Sequence, residues 1–175
     1  MKTLKHFING HYVAGSSEDS FELVSPVDGE TYAISPNANE AEVEQAYSAA
    51  EAAFSIWRKS TPAQRQKALL LLADEIERNV ERLVTAQSQE TGQLRHFIEK
   101  EEIAASCDTI RFFAGAARCL EGKAAGEYSA GFTSTIRREP LGIVGQVTPW
   151  NYPFMMAVWK IAPARSEEHT SELQS

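Results

Sequence analysis

Long hydrophobic runs and cysteines are both scarce in this chain of 175 residues. No strictly apolar run exceeds six residues, as at 68–73, whereas a helix that crosses a bilayer needs about 20. The first ten residues contain two lysines but no apolar core, so we find no signal peptide and expect a cytoplasmic protein without a membrane partner. The two cysteines, Cys107 and Cys119, are too few for a disulfide framework or a zinc site.

Basic residues are also fewer than acidic ones. The chain has 17 Lys and Arg against 24 Asp and Glu, a net charge of −7, which argues against nucleic acid as the main partner. Hydrophobic residues make up 43% and charged residues 23%, as in globular domains, so disorder is excluded. The 10 Gly and 7 Pro follow no period, which excludes collagen and low-complexity linkers.

The composition changes at Arg165. The last eleven residues read RSEEHTSELQS, with Leu173 as the only large apolar residue. This stretch resembles the translation of a sequencing adapter, and the alternative is an ordinary polar tail. We expect residues 165–175 to be a non-native tail, which must be set aside before the fold is considered. We also expect the natural protein to continue beyond Ala164, so that residues 1–164 are an incomplete part of it.

Local signals in the first half predict short strands followed by helices. The Asn9-Gly10 pair between apolar residues predicts a hairpin over residues 7–13, and residues 21–24 alternate as a strand does. Asn39 with Glu42 forms a capping-box pattern that begins a first helix. Thr61-Pro62 begins a second helix, whose predicted buried residues are Ala68, Leu69, Leu72, Ala73 and Ile76.

The second half predicts two more helices and then a change of period. Asn79 is expected to cap a third helix that ends near Gly92, and a fourth runs from about Leu94 to Leu120. Residues 128–138 alternate, residues 141–147 indicate a buried strand, and a last helix begins near Pro153. Because a strand feeds a helix only at the end, we predict an α/β fold of which the chain contains the first unit.

One arrangement looks like a site: the buried strand, then Thr-Pro-Trp-Asn-Tyr-Pro, then the helix. Ligands bind at the carboxyl ends of strands in open α/β sheets. The amide of Asn151 is a neutral hydrogen-bond donor, which is what a developing oxyanion needs. The alternative is that Asn151 only caps the helix.

The helix that follows carries a second candidate surface. Tyr152, Met156 and Trp159 share one face, and side chains of this kind can line a pocket for a small ligand. Core packing is the alternative. Lys160 lies beside that face. Periodicity alone predicts that it is a surface lysine whose aliphatic stem is buried.

Several motifs together resemble a known family. FFAGAARCL at 112–120, IRREPLG at 136–142, PWNYP at 149–153 and WKIAPA at 159–164 are similar to the NAD(P)-dependent aldehyde dehydrogenases. The branch most resembled comprises the aminobutyraldehyde and betaine aldehyde dehydrogenases, and the resemblance covers residues 7–164. It implies an N-terminal fragment of that α/β fold, with an oligomerisation hairpin at about 126–139. It also implies NAD as cofactor, with NADP not excluded, and a homodimer or homotetramer.

The resemblance also implies roles for individual residues. Asn151 matches the asparagine that stabilises the oxyanion of the thiohemiacetal, and Lys160 matches a lysine described as a charge relay. The positions that match the nicotinamide-ribose contacts are Val147, Thr148, Pro149 and Trp150. The positions that match the aldehyde entry funnel are Tyr152, Met156 and Trp159.

The resemblance also implies roles in binding charged groups and ions. Glu101 and Glu102 fall where the aminoaldehyde branch meets the cationic end of its substrate, which a carboxylate attracts; two solvated helix charges are the alternative. The family's monovalent cation lies on carbonyls that match Leu23 and Val24, and on an aspartate where this chain has Glu90.

The family's catalytic cysteine and glutamate lie downstream of the positions that this chain matches. Cys107 and Cys119 do not match the nucleophile, and we expect them to be small buried apolar residues. We therefore predict that the 175 residues alone have no dehydrogenase activity. Two alternatives remain open: a non-catalytic helical interaction module, and a dehydrogenase of the same family for a semialdehyde or an aliphatic aldehyde.

Overall fold

The computed structural model describes residues 2–119, 125–135 and 139–166. Within them the strands are Lys2–Thr3 (β1), His6–Ile8 (β2), His11–Val13 (β3), Ser20–Val24 (β4), Thr31–Pro36 (β5), Gly126–Ser129 (β6) and Phe132–Ser134 (β7). The helices are Glu40–Trp57 (α1), Pro62–Arg78 (α2), Val80–Thr91 (α3), Arg95–Phe97 (α4), the π-helix Ile98–Ile103, Ala104–Ala116 (α5) and Pro153–Ser166 (α6). This mixed α/β architecture confirms the predicted fold class.

The described strands form three small sheets. β5 lies between β1, which is parallel to it, and β4, which is antiparallel. β2 and β3 form the predicted hairpin, and both turn residues have positive φ, 52° for Asn9 and 79° for Gly10. Asn-Gly tolerates this conformation, which matches the right-handed twist of the strands.

Capping residues begin α1 and α2 where the sequence predicts. Oδ1 of Asn39 accepts from the Glu42 amide at 3.0 Å, and Oε2 of Glu42 accepts from the Asn39 amide at 2.9 Å. Thr61 and Gln64 make the same reciprocal pair, with Pro62 in the first turn. Both capping boxes satisfy amides that the helix itself leaves unpaired.

The core lies where α2, α5, α6 and the π-helix meet. Its buried apolar residues are Leu69, Ala73, Ile76, Val84, Ile98, Ile103, Cys107, Ile110, Ala114, Val158 and Ala162. On α2 this confirms Leu69, Ala73 and Ile76, but Ala68 and Leu72 are exposed. The apolar stripe of α2 is wider than the surface that its neighbours cover.

The predicted fourth helix is not one continuous α-helix. A π-helix at Ile98–Ile103 interrupts it, and α5 ends at Ala116 with Ala117 as its C-cap. Leu120, the predicted end, lies outside the described residues. Asn79 stands at the start of α3 but makes no side-chain cap; its Nδ2 donates to the Glu75 carbonyl near the end of α2.

The prediction of a buried strand at 141–147 is wrong in this structure. The segment has no regular secondary structure, and Leu141 is 74% and Val147 85% exposed. A strand needs a hydrogen-bonded partner on its edge, and no described strand lies beside this segment. With α1 and α6 it borders an apolar groove of about 320 Å³ instead.

The end of α6 passes the predicted boundary at Ala164. The Arg165 guanidinium lies 4.6 Å from the centre of the Trp57 ring, and the Ser166 carbonyl accepts from Nε of Arg65 at 3.1 Å. The origin of residues 165–175 stays a prediction, and residues 167–175 lie outside the described part. None of the described helices combines the length and apolarity that a bilayer crossing requires.

Candidate active site

The side chain of Asn151 is exposed and is not used by the fold. The helix α6 begins at Pro153, and its first hydrogen bond runs from the Met156 amide to the Tyr152 carbonyl at 2.9 Å. Tyr152 therefore takes the cap position. Among the described residues nothing hydrogen-bonds to the Asn151 side chain, so that side chain does not cap α6. Its amide remains available to a ligand.

Lys160 connects α6 to the irregular segment that precedes Asn151. Its Nζ donates to the carbonyl of Val147, and the side-chain amide of Gln146 donates to the Lys160 carbonyl at 2.9 Å. Lys160 is half-buried, so it is more than a snorkelling surface lysine. The two hydrogen bonds fix the approach of the chain to Thr148, Pro149 and Trp150.

The face shared by Tyr152, Met156 and Trp159 points away from the core. The core-facing residues of α6 are Val158 and Ala162. Tyr152 and Met156 are half-buried and Trp159 is half-exposed. Core packing thus does not explain this face in the described structure, and its role in guiding an aldehyde stays a prediction.

Glu101 and Glu102 do not act as a pair. Glu101 is exposed, whereas Glu102 is 1% exposed and its Oε2 accepts from Nε2 of Gln87 at 2.6 Å. Adjacent positions on a helix face different directions. The alternative of two solvated charges therefore holds for Glu101 and is wrong for Glu102.

A series of hydrogen bonds, which the sequence did not predict, joins Glu102 to the loop that contains Asn151. Nε2 of Gln87 also donates to Oε1 of Gln93 at 2.8 Å, and Nε2 of Gln93 donates to the Asn151 carbonyl at 3.4 Å. The sequence did contain a signal for these hydrogen bonds. Gln87 follows Val80 and Val84 on the inner face of α3, and a buried glutamine side chain needs hydrogen-bond partners.

The residues predicted to hold a monovalent cation come together around Tyr32. Leu23 pairs with Ala33 and Val24 with Thr31, so the ladder bulges and leaves Tyr32 unpaired. Burial raises the pKa of Tyr32, and the Glu90 carboxylate adds to that rise. Glu90 of α3 thus lies near the bulge. Among the described residues, no group of three or more His, Cys, Asp or Glu side chains could hold a metal.

The two cysteines differ in environment. Cys107 is a core residue, and burial raises the pKa of its thiol, as expected for a small apolar residue. Cys119 is exposed, so the prediction that both cysteines are buried is wrong for it. Cys119 follows the end of α5, beyond the reach of the core.

Comparison with known proteins gives consistent matches. The model of the aldehyde dehydrogenase family matches residues 12–166. The long-chain-aldehyde dehydrogenase of Acinetobacter sp is 38% identical over 160 residues, 91% of this chain and 32% of that protein. The acetaldehyde dehydrogenase of Pseudomonas aeruginosa is 36% identical over 159 residues, 91% of this chain and 31% of that protein.

A solved structure matches the fold closely. The crystal structure of PnpE of Pseudomonas sp. WBC-3, in complex with nicotinamide adenine dinucleotide, superposes with a TM-score of 0.89 at 33% identity. The match covers 95% of this chain and 34% of that chain. The chain therefore spans about a third of the length of the proteins it matches.

Proposed function

The chain belongs to the aldehyde dehydrogenase family, and from that premise we propose that it is the N-terminal part of an enzyme that oxidises an aldehyde to the carboxylic acid with NAD. NADP is the alternative cofactor. The proposal concerns the complete enzyme, because the chain spans about a third of its relatives. The alternative of a non-catalytic interaction module has no supporting observation.

The exposed amide of Asn151 carries this proposal. When a nucleophile adds to the aldehyde carbonyl, the oxygen gains negative charge, and a fixed neutral donor stabilises that charge without becoming reorganised. Asn151 has a neutral amide donor, which the fold leaves unused. It stands in the bend just before α6.

The test is Asn151→Ala in the complete enzyme. Loss of one oxyanion donor lowers kcat by about 100-fold or more, and we expect KM to change much less. Asn37→Ala is the matched control, since Asn37 is exposed in the loop before α1. Full turnover of Asn151→Ala would falsify the proposal.

The residues proposed to meet the nicotinamide-ribose side of NAD are Val147, Thr148, Pro149 and Trp150. They fit that role, because all four are exposed and Val147 and Trp150 are each 85% exposed. When bound, NAD accepts the hydride. The chain contributes only this edge of the cofactor site and one oxyanion donor, so we propose that the 175 residues alone are inactive. Aldehyde-dependent NADH formation by the isolated chain would contradict this.

For the substrate, an ω-aminoaldehyde and an uncharged aliphatic aldehyde are both candidates. The first requires a carboxylate for the cationic end, and of the two predicted carboxylates Glu101 is the exposed one, since Glu102 is buried and bonded to Gln87. The names of the two relatives, which act on long-chain aldehydes and acetaldehyde, favour the second. A semialdehyde is the third possibility.

A matched pair of substrates separates these candidates. Aminobutyraldehyde and butyraldehyde have similar size and differ in charge. If Glu101 binds the ammonium group, Glu101→Gln raises KM for aminobutyraldehyde several-fold and leaves butyraldehyde unchanged. Equal kcat/KM for both in the unmodified enzyme excludes the aminoaldehyde assignment. Preference for succinate semialdehyde over both indicates the semialdehyde.

We further propose that the carbonyls of Leu23 and Val24, with Glu90, hold a monovalent cation. The bulge at these carbonyls and the nearby Glu90 carboxylate support this site. Carbonyl and carboxylate oxygens suit hard cations. The melting temperature should rise when K⁺ or Na⁺ replaces a bulky organic cation at equal ionic strength, and Glu90→Ala should abolish that difference.

The hairpin at about 126–139 is proposed to contact a second subunit in a dimer or tetramer. β6 and β7 pair through a turn at Gly131, and Tyr128 and Phe132 are 70% and 68% exposed. Residues 136–138 of the predicted hairpin lie outside the described part. Tyr128→Ser with Phe132→Ser should shift the complete enzyme toward smaller assemblies in sedimentation analysis.

A further inference from the structure

A chain of hydrogen bonds runs from the interior to the candidate oxyanion donor. It begins at the Glu102 carboxylate in the π-helix, passes through the amides of Gln87 and Gln93, and ends at the Asn151 carbonyl. The successive distances are 2.6, 2.8 and 3.4 Å. Apart from the last of these bonds, no hydrogen bond reaches Asn151 from another described residue.

The Glu102 carboxylate fixes the donor-to-acceptor direction of this chain of hydrogen bonds. Carboxylate oxygens accept, so Gln87 must present its NH₂ group to Glu102. The same nitrogen donates to Oε1 of Gln93, which leaves the Gln93 NH₂ group pointing outward to the Asn151 carbonyl. If Gln87 were rotated, its oxygen would face the carboxylate, and two acceptors would meet in a buried site.

The inner part of the chain is held firmly. Gln87 is 5% and Glu102 1% exposed. Oγ1 of Thr91 lies 3.0 Å from Oε1 of Gln93, and Oγ of Ser88 donates to the Gln93 carbonyl at 2.9 Å. Between Thr91 and Gln93, Gly92 turns the backbone with a φ of 71°. This is a left-handed conformation that glycine adopts readily.

We propose that Gln93 is a positioning residue: its amide holds the Asn151 carbonyl, and Glu102, acting through Gln87, sets the direction of that amide. The π-helix contributes by carrying Glu102, and such helices occur often at functional sites. This inference rests on the proposed role of the Asn151 side chain, whose aim depends on where its own backbone is held.

Two variants of the complete enzyme test the inference. Gln93→Glu keeps an oxygen for Gln87 to bond but replaces the outward donor by an acceptor, so it breaks the outer contact while preserving the inner one. Gln93→Ala removes both. Gln89→Ala is the control, because Gln89 is an exposed glutamine on α3, the helix that carries Gln87. Hydrogen exchange of the peptide covering residues 150–152 reports the order of the loop independently of activity.

We expect both Gln93 variants to exchange faster over residues 150–152 and to lose about tenfold in kcat, with KM little changed and Gln89→Ala unaffected. In an Asn151→Ala background, Gln93→Glu should reduce kcat no further, because its effect passes through Asn151. Unchanged exchange in Gln93→Glu overturns the inference, as do multiplicative effects of the two variants. Faster exchange with unchanged kcat also overturns the inference, because the contact then does not position Asn151 for catalysis; the role of Asn151 itself is decided by Asn151→Ala.

Discussion

Gln87 lies on α3 and Glu102 on the π-helix, yet Nε2 of Gln87 donates to Oε2 of Glu102 at 2.6 Å inside the protein. The contact joins α3 to the π-helix in the interior. A hydrogen bond to a charged group is stronger than one between neutral groups, and breaking it leaves a buried polar atom without a partner. The pair thus supports the fold as well as the loop that carries Asn151.

Replacing Glu102 by leucine should therefore destabilise the protein. We expect Glu102→Leu to lower the free energy of unfolding by about 2 kcal/mol, because the buried Gln87 amide keeps Gln93 as an acceptor but loses the charged one. Glu102→Gln should cost less, since its amide oxygen can still accept. The exposed neighbour provides the control: Glu101→Leu should change stability by less than about 0.5 kcal/mol. Urea unfolding followed by tryptophan fluorescence measures all three, and equal losses at both positions would contradict this account.

Stability should fall in acid partly through Glu42. Hydrogen bonds from the backbone amides of Asn39 and Ser16 lower the pKa of this carboxyl below its ordinary value of 4.5. The folded state therefore favours the ionised form. Its contribution is complete above the pKa of the unfolded chain and is lost as the pH falls through the lower pKa of the folded state.

The matching experiment is Glu42→Gln, measured by melting temperature between neutral and acidic pH. The variant should be less stable than the parent near neutrality, and the difference should shrink as the pH falls. Glu44→Gln on the exposed side of α1 should melt as the parent does at every pH. A constant difference for Glu42→Gln across the range would show that its ionisation is not responsible.

Lys160→Met should weaken binding of NAD to the complete enzyme. Without the Nζ donor, the Val147 carbonyl loses its contact with α6, and the proposed cofactor edge becomes less ordered. We expect KM for NAD to rise by about three- to tenfold, the effect of losing one hydrogen bond. The exposed Lys67→Met is the control. A fall in kcat with an altered pH profile and an unchanged KM for NAD would instead support the charge-relay role.

The two cysteines should react at very different rates. Burial raises the pKa of the Cys107 thiol, which lowers the thiolate fraction, and the core also blocks access. We expect iodoacetamide to label the exposed Cys119 while Cys107 reacts only after unfolding, as read by mass spectrometry of the peptides. Rapid labelling of Cys107 in the folded protein would mean that the core around α5 opens.

Local sequence signals predicted the elements that neighbouring residues stabilise. Asn9-Gly10 made its hairpin, and the capping boxes at Asn39 and Thr61 began α1 and α2. In each case the necessary donors, acceptors and backbone conformations lie within a few residues of one another. The predicted strand at 141–147 lacked this property, because a strand is stabilised by a distant partner that the described chain does not place beside it.

The sequence alone determined where α1 and α2 begin, which family motifs are present, and that an asparagine amide stands just before the last helix. Only the tertiary structure decided that this amide is unused by α6, that Glu102 is buried while Glu101 is exposed, and that Gln93 holds the Asn151 carbonyl. The physical reason is distance along the chain. Gln93 and Asn151 are separated by 58 positions, and hydrogen bonds of that span follow from how helices pack, which no local pattern encodes.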